Sequence, residues 1–286
     1  CLLCSDTVRQ SFTNIQDGFI YRQVLQSRQG IGFFCPRITN NLRIMGFYEL
    51  IPPTYPTDDK ILLAFDTKNM WKFNTTTKIF DVVPFNMGAY ANFGLDNDEY
   101  ISCVAYPDKD NNLRLIICGI GIVPNAAGSA IFYYDGTDIK DFTTSAFYSP
   151  PPSGALTVAK YVQYFGERLC FFAPTINNTP QLQMVLYSAI RNTLGNGDKF
   201  DQAGAGELAA STSDYITGVT KLGQLIILNY NESTYSLEIT TDAFNPFFIR
   251  KIPGVLGTDA DFSAVSWADQ VKSLGKAGLI TSDGRV

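Results

Sequence analysis

The chain is 286 residues long, 45% apolar and 13% aromatic, enough to bury a sizeable core, and its 27 acidic against 22 basic residues leave a formal net charge of −5. Lys and Arg are dispersed, grouped no more closely than Arg250-Lys251 or Arg37 with Arg43, which excludes the basic stripe that nucleic-acid readers lay along phosphates. With no histidine, Ser-His-Asp and Cys-His nucleophiles, His-ligated zinc or iron, and the Gly-His of most WD40 blades are excluded as well.

Along the chain a short apolar strand unit recurs five times: Ile61-Leu62-Leu63-Ala64-Phe65, Leu113-Arg114-Leu115-Ile116-Ile117, Arg168-Leu169-Cys170-Phe171-Phe172, Gln224-Leu225-Ile226-Ile227-Leu228 and Ala277-Gly278-Leu279-Ile280. Starts at 61, 113, 168, 224 and 277 give steps of 52, 55, 56 and 53 residues. A period of that order marks a solenoid, propeller or array. Runs of four or five residues bounded by Gly, Asn and Asp are strand-like and too short for helices. The longest helical candidate, Leu182 to Leu194, lacks a 3.6-residue stripe and reads as strand and loop.

Most cores are followed by a second strand and a turn. Met70-Trp71-Lys72-Phe73-Asn74 leads through Thr75-Thr76-Thr77 to Ile79-Phe80, and Ala130 to Tyr134 runs into Asp135-Gly136, a dipeptide suited to a type I′ hairpin. Asn229 to Glu232 reads as the turn before Ser233-Thr234-Tyr235-Ser236-Leu237-Glu238-Ile239, whose apolar residues alternate as in a half-buried strand. A hairpin every fifty-odd residues, with room for two further strands, predicts an all-β propeller of roughly four-stranded blades. A lead-in segment, 1–50, precedes a propeller over 51–286, with blade units near 51–98, 99–150, 151–206, 207–257 and an incomplete 258–286. The chain opens on Cys1 and stops at Asp283-Gly284-Arg285-Val286, where a return strand has just begun. Strands completing the fifth blade and closing the ring are therefore expected beyond it, because an open sheet edge invites aggregation.

Residues able to carry chemistry are few. Of six cysteines, only Cys1 and Cys4 form a C-x-x-C, without the second pair a zinc ribbon needs, and Cys118 and Cys170 lie in apolar cores. A reducing compartment during synthesis is expected. No run of 18 apolar residues offers a helical membrane span. The acidic groups Asp58-Asp59, Asp96 with Asp98-Glu99, Asp108 with Asp110, and Asp259 with Asp261 have the composition of a glycosidase acid pair, yet each lies among turn residues and reads as a solvated turn. Ser282-Asp283-Gly284 lacks the spacing of a sialidase box. Asp108, Asp110 and Asn112 alternate like calcium ligands without the glycine and closing glutamate of an EF-hand. Gly119-Ile120-Gly121-Ile122-Val123 and Ala203-Gly204-Ala205-Gly206 lack the Lys-Ser/Thr of a P-loop and read as flexible loops. No catalytic, cofactor-binding or metal-binding residue is assigned. Tyr55, Tyr90, Phe93, Phe147-Tyr148, and Phe244 with Phe247-Phe248 are interface candidates, aromatics being enriched at interfaces, and Ile51-Pro52-Pro53 and Pro150-Pro151-Pro152 stiffen the crossings between blades.

The last three units carry an ordered set of short motifs. They run from Val162 through Arg168-Leu169, Pro180-Gln181 and Tyr187-Ser188 to Asp198-Lys199-Phe200, Ala203-Gly204, Asp214 to Gly218 and Leu222 to Ile227. Ser233 to Leu237, Ile252 to Thr258, Ser263-Ala264-Val265 and Thr281 to Val286 continue the series. This stretch, 162–286, resembles the propeller proteins of tailed-bacteriophage tails and connectors. Gly18 to Arg28 and Trp71 to Thr77 resemble the same family more faintly, with Arg28-Gln29-Gly30 in place of its Arg-Pro-Gly and Asp66-Thr67 in place of its glycine. The resemblance implies a non-enzymatic virion protein without a cofactor, a tail nozzle or stopper subunit assembling with its own copies, typically as a six-fold ring. Portal, adaptor, tail or fibre proteins would be its neighbours, and double-stranded DNA would pass without sequence-specific binding. Its place would be the tail or neck of the virion, after assembly in the host cytoplasm. The alternative from the residues alone is a carbohydrate-binding or glycosidase propeller acting in host-surface recognition.

Overall fold

The computed structural model describes residues 18–21, 24–27, 35, 36, 38, 42–52, 60–87, 92–96, 99–108, 112–119, 121, 122, 129–145, 148–191, 199–276 and 278–284. A two-stranded hairpin, β1 (Gly18–Tyr21) with β2 (Val24–Ser27), falls in a small compact unit with the turn 74–80, and the remainder forms a large unit. Five antiparallel sheets make up the rest of the secondary structure, with no helix among the described residues.

The first blade takes β3 (Ile44–Leu50), β4 (Ile61–Asp66), β5 (Met70–Asn74) and β6 (Ile79–Val82) in chain order. The second takes β7 (Ile101–Pro107), β8 (Leu113–Gly119), β9 (Phe132–Tyr134) and β10 (Ile139–Asp141). In the third, β11 (Leu156–Phe165), β12 (Arg168–Ile176), β14 (Met184–Tyr187) and β15 (Gly206–Ala209) lie side by side, with the two-residue β13 (Thr179–Pro180) also on β12. The fourth is β16 (Ile216–Leu222), β17 (Leu225–Tyr230), β18 (Ser233–Ile239) and β19 (Phe247–Leu256). The fifth has three strands among the described residues, β20 (Val265–Trp267), β21 (Gln270–Gly275) and β22 (Gly278–Ser282). First strands pack on the neighbouring sheets, β3 on β7, β7 and β8 on β11, β12 on β16, and β16 on β20 and β21. The fold is a five-bladed β-propeller, as the repeat predicts.

Three of the repeats share a local irregularity. β3, β11 and β16 each slip register near their start, at Ile44/Gly46, Leu156/Val158 and Ile216/Gly218, a bulge that bends and twists the strand there. Three large cores fill successive seams. Leu63, Phe65, Leu115 and Phe132 lie between blades 1 and 2, Ile116, Phe142, Leu169 and Phe171 between 2 and 3, and Phe172, Tyr187, Leu228 and Phe247 between 3 and 4. β4, β8, β12 and β17 are buried on both faces because a propeller blade is covered on each side, which is why they read as continuous apolar runs rather than alternating ones.

Three details differ from the sequence reading. The fifth core, starting at Ala277, is the third strand of its sheet; the second is β21, whose inward residues are Val271 and Ser273, too polar to register as an apolar run. Asp135-Gly136 does not form a two-residue hairpin, because Tyr134 pairs with Ile139 across a four-residue loop in which Asp135 Oδ1 accepts the amides of Thr137 and Asp138, each at 3.0 Å. Two-residue turns with positive φ at both positions occur instead at Gly166-Glu167 (57° and 58°) and Asn177-Asn178 (49° and 61°), the type I′ geometry that matches strand twist. Finally, Ile44–Leu50, within the stretch read as a lead-in, is the first strand of blade 1.

Candidate functional site

The carboxylates chiefly build turns. Asp66, fully buried at the end of β4, accepts the amides of Lys68 (2.6 Å) and Asn69 (2.7 Å) on Oδ1 and the indole N–H of Trp71 (2.5 Å) on Oδ2. Asp108 is not in a solvated turn: it is 2% exposed, accepts from the backbone and side-chain amides of Asn112 (2.8 and 3.2 Å), and pairs with Arg114 Nη2 at 2.7 Å. A guanidinium thus neutralises the carboxylate to which the calcium reading assigned an ion. Asp110 lies outside the described residues.

The remaining acidic groups are similarly placed. Glu99 Oε2 accepts the Asp96 amide at 2.7 Å, clamping one turn. Asp261 binds Lys160 Nζ at 2.6 Å, whereas Asp259 is exposed. Asp58-Asp59 and Asp98 lie outside the described residues, as do Cys1 and Cys4. Among the described residues no three His, Cys, Asp or Glu side chains gather as a metal set would.

The glycine strings serve close approach rather than flexibility. A Cβ on Gly119 would meet the Tyr100 carbonyl oxygen at 2.2 Å, and one on Gly121 the Glu99 carboxyl at 1.8 Å. In the second string, Gly204 lies over Arg168 and Gly206 over the Tyr187 hydroxyl. Arg168 is 4% exposed, and its Nη1 donates to the carbonyls of Ser188 (2.9 Å) and Gly204 (2.7 Å). Burial lowers its pKa, but the guanidinium remains the donor that shapes the Ala203–Gly206 turn.

That turn separates two recesses. One, of about 420 Å³, runs between Pro151-Pro152-Ser153 and Phe200–Glu207, and its rim carboxylates are occupied, Asp201 by Ser149 and Glu207 by Ser153. The other, of about 320 Å³, lies between Gly166, Ile190 and the loop Thr240–Pro246. Asp242 orders that loop by accepting the Phe244 amide (2.8 Å) and Asn245 Nδ2 (3.0 Å), which hold its carboxyl below the usual carboxylate range.

The buried thiols are not poised for chemistry. Burial pushes Cys103 up to about 12 and Cys118 and Cys170 well above the usual thiol value, so none supplies thiolate near neutrality.

Of the predicted interface aromatics, Phe244 is 75% exposed and Phe248 is exposed, while Phe93 and Phe247 are core residues, Phe247 stacked on Phe165 with centroids 5.6 Å apart. Tyr148 is half-buried between Phe142 and Phe200. Tyr55, Tyr90 and Phe147 lie outside the described residues. A larger apolar surface escaped the sequence reading. Pairing of Val265 with Lys272, Trp267 with Gln270 and Leu274 with Leu279 puts these side chains on one face of blade 5, with Trp267 68% and Leu279 66% exposed and Val265 and Leu274 also exposed. Lys272 lies 5.9 Å from the Trp267 ring. The alternation Val265-Ser266-Trp267 was the signal available, and its outward direction could not be read without the partner strands.

No protein-family model matches the chain, and no curated protein sequence matches it. Solved structures similar to it share 8–11% identity with the chain. The extracellular domain of BT4673 from B. thetaiotaomicron, described as a hybrid two component system, is similar with TM-score 0.43 and 11% identity over 93% of this chain and 37% of that one. BBS1N in complex with ARL6DN gives TM-score 0.40 and 8% identity over 90% and 66%, and the WD40 domain of SCAP from fission yeast 0.35 and 8% over 81% and 48%. The chain therefore spans little more than a third of the length of the BT4673 domain.

Proposed function

We propose that the chain is a structural subunit of a tailed-bacteriophage particle, part of the tail nozzle or head-to-tail connector around the genome-exit channel, docking neighbours rather than turning over a substrate. The observation that carries the docking half is the exposed face of blade 5, where Val265, Trp267, Leu274 and Leu279 lie together. Contiguous exposed apolar side chains mark interaction sites, and aromatics dominate interface cores. The phage half rests on the ordered resemblance along 162–286. A net charge of −5 without a basic stripe suits a wall past which DNA slides without adhering.

Substitution separates docking from chemistry. Trp267→Ser with Leu279→Ser should leave the far-ultraviolet circular dichroism of the purified chain unchanged while abolishing its incorporation into particles, whereas Asp259→Asn should incorporate and infect normally. Normal incorporation of the double variant would contradict the reading. So would loss of function in Asp259→Asn with the fold intact.

A further inference from the structure

The seams between blades are not alike. Among the described residues the first three hold 14, 12 and 15 buried apolar residues, and the seam between blades 4 and 5 holds four: Leu222, Ile227, Ile252 and Val271. Blade 4 presents hydroxyls and an amide there instead. Thr220 is paired with Ile227 and Ile227 with Ser236, while Asn229 is paired with Thr234, so all lie on the face that carries Ile227 toward blade 5. Each of these polar residues is buried, as are Ser273 and Ser282 of blade 5. Thr220 Oγ1 and Asn229 Nδ2 find no hydrogen-bond partner among the described residues. Burial of large apolar side chains drives folding and an unpaired buried polar group opposes it, so of these four seams this one closes with the least driving force.

The loop leading into blade 5 supplies a compensating attachment. Asp261 Oδ1 lies 2.6 Å from Lys160 Nζ on β11, and the same ammonium donates to the Ile216 carbonyl at 3.0 Å. The Phe262 ring is 4.5 Å from that of Tyr161 and stacks on Tyr100 at 5.0 Å. Its amide donates to the Thr217 carbonyl at 3.2 Å, which also accepts the Tyr161 hydroxyl. Tyr100 immediately precedes β7, Lys160 and Tyr161 belong to β11, and Ile216 and Thr217 open β16, so two consecutive residues fasten blade 5 to blades 2, 3 and 4. Phe262 holds φ of +59°, a left-handed conformation that is strained for a non-glycine residue and persists because these contacts determine it.

We propose that residues 258–284 form a separable leaf that opens from blade 4 as a cooperative unit before the rest of the propeller unfolds, and that Asp261 and Phe262 are the latch holding it shut. Opening would part a hydroxyl-rich seam and the Phe262 contacts with Tyr100 and Tyr161, so the step exposes less apolar surface than parting any of the three larger cores.

Native-state hydrogen exchange of the full chain across low denaturant concentrations tests this. The amides of β20, β21 and β22 should exchange through an opening of lower free energy and smaller denaturant slope than those of β8, β12 and β17. Phe262→Ala should raise exchange in β20–β22 at least tenfold and leave β8 and β12 unchanged. Lys160→Met and Asp261→Asn should each do so in part, and non-additively when combined. A single free energy shared by β17 and β20–β22 in the unsubstituted protein would overturn the proposal, a result that needs no variant to fold. Equal acceleration in every blade by Phe262→Ala would overturn the latch.

Discussion

At the scale of single residues, several of the described acidic side chains anchor turns, and the strongest case is Asp66. Three donors converge on its buried carboxylate, including the Trp71 indole. Hydrogen bonds to a charged group contribute about 1.5 to 3 kcal/mol each, and donors left unpaired in a core cost more than they gained. Asp66→Ala should therefore lower stability by at least about 3 kcal/mol in urea unfolding, by the same reasoning. Asp135 and Asp242, with Asp201, contribute to the acid response. Burial raises the Asp135 carboxyl, but the amides of Asp138 and Thr137 and the Lys140 ammonium more than offset it, leaving a pKa below 3.8. Asp242, open to solvent, is lowered by Asn245 and by the Phe244 amide. A depressed folded pKa means that the unfolded chain takes up protons first as pH falls, so this stabilisation is present above about pH 4 and lost below it. A melting temperature that falls as pH drops below about 4, with a shallower fall in Asp135→Asn, is the expected outcome.

At the scale of strands and seams, what the sequence made legible depends on how many faces are covered. β8 and β12 are enclosed on both sides and so stand out as unbroken apolar runs, Leu115 to Cys118 and Leu169 to Phe172. β21 is enclosed mainly on one side, carries Ser273 where its counterparts carry Leu or Phe, and was passed over for the more apolar but exposed β22. Contacts distant in sequence were equally illegible. That Gly121 makes room for the Glu99 carboxyl, or that Asp261 faces Lys160 a hundred and one residues away, follows from blade geometry and leaves no local pattern. Trp267 misleads for the opposite reason, since a large aromatic in a strand ordinarily signals core. The polar seam gives a direct prediction: Thr220→Val, which keeps the shape and removes an unpaired hydroxyl, should stabilise the chain by about 1 kcal/mol in urea unfolding. A loss of stability would mean that the hydroxyl is satisfied in solution.

At the scale of the whole molecule, five sheets of similar build carry very different surfaces. Blades 1 to 4 are joined by aromatic and aliphatic cores, and blade 5 is joined by a latch and a polar seam while turning an apolar face outward. An exposed apolar face suits assembly, and in the proposed reading it docks a neighbour in the particle. The most direct measurement is to raise an antibody against the chain, label purified phage particles and locate the label by negative-stain electron microscopy. The account predicts label at the neck or along the tail axis. Label confined to distal fibres, or absent from every particle, would contradict it.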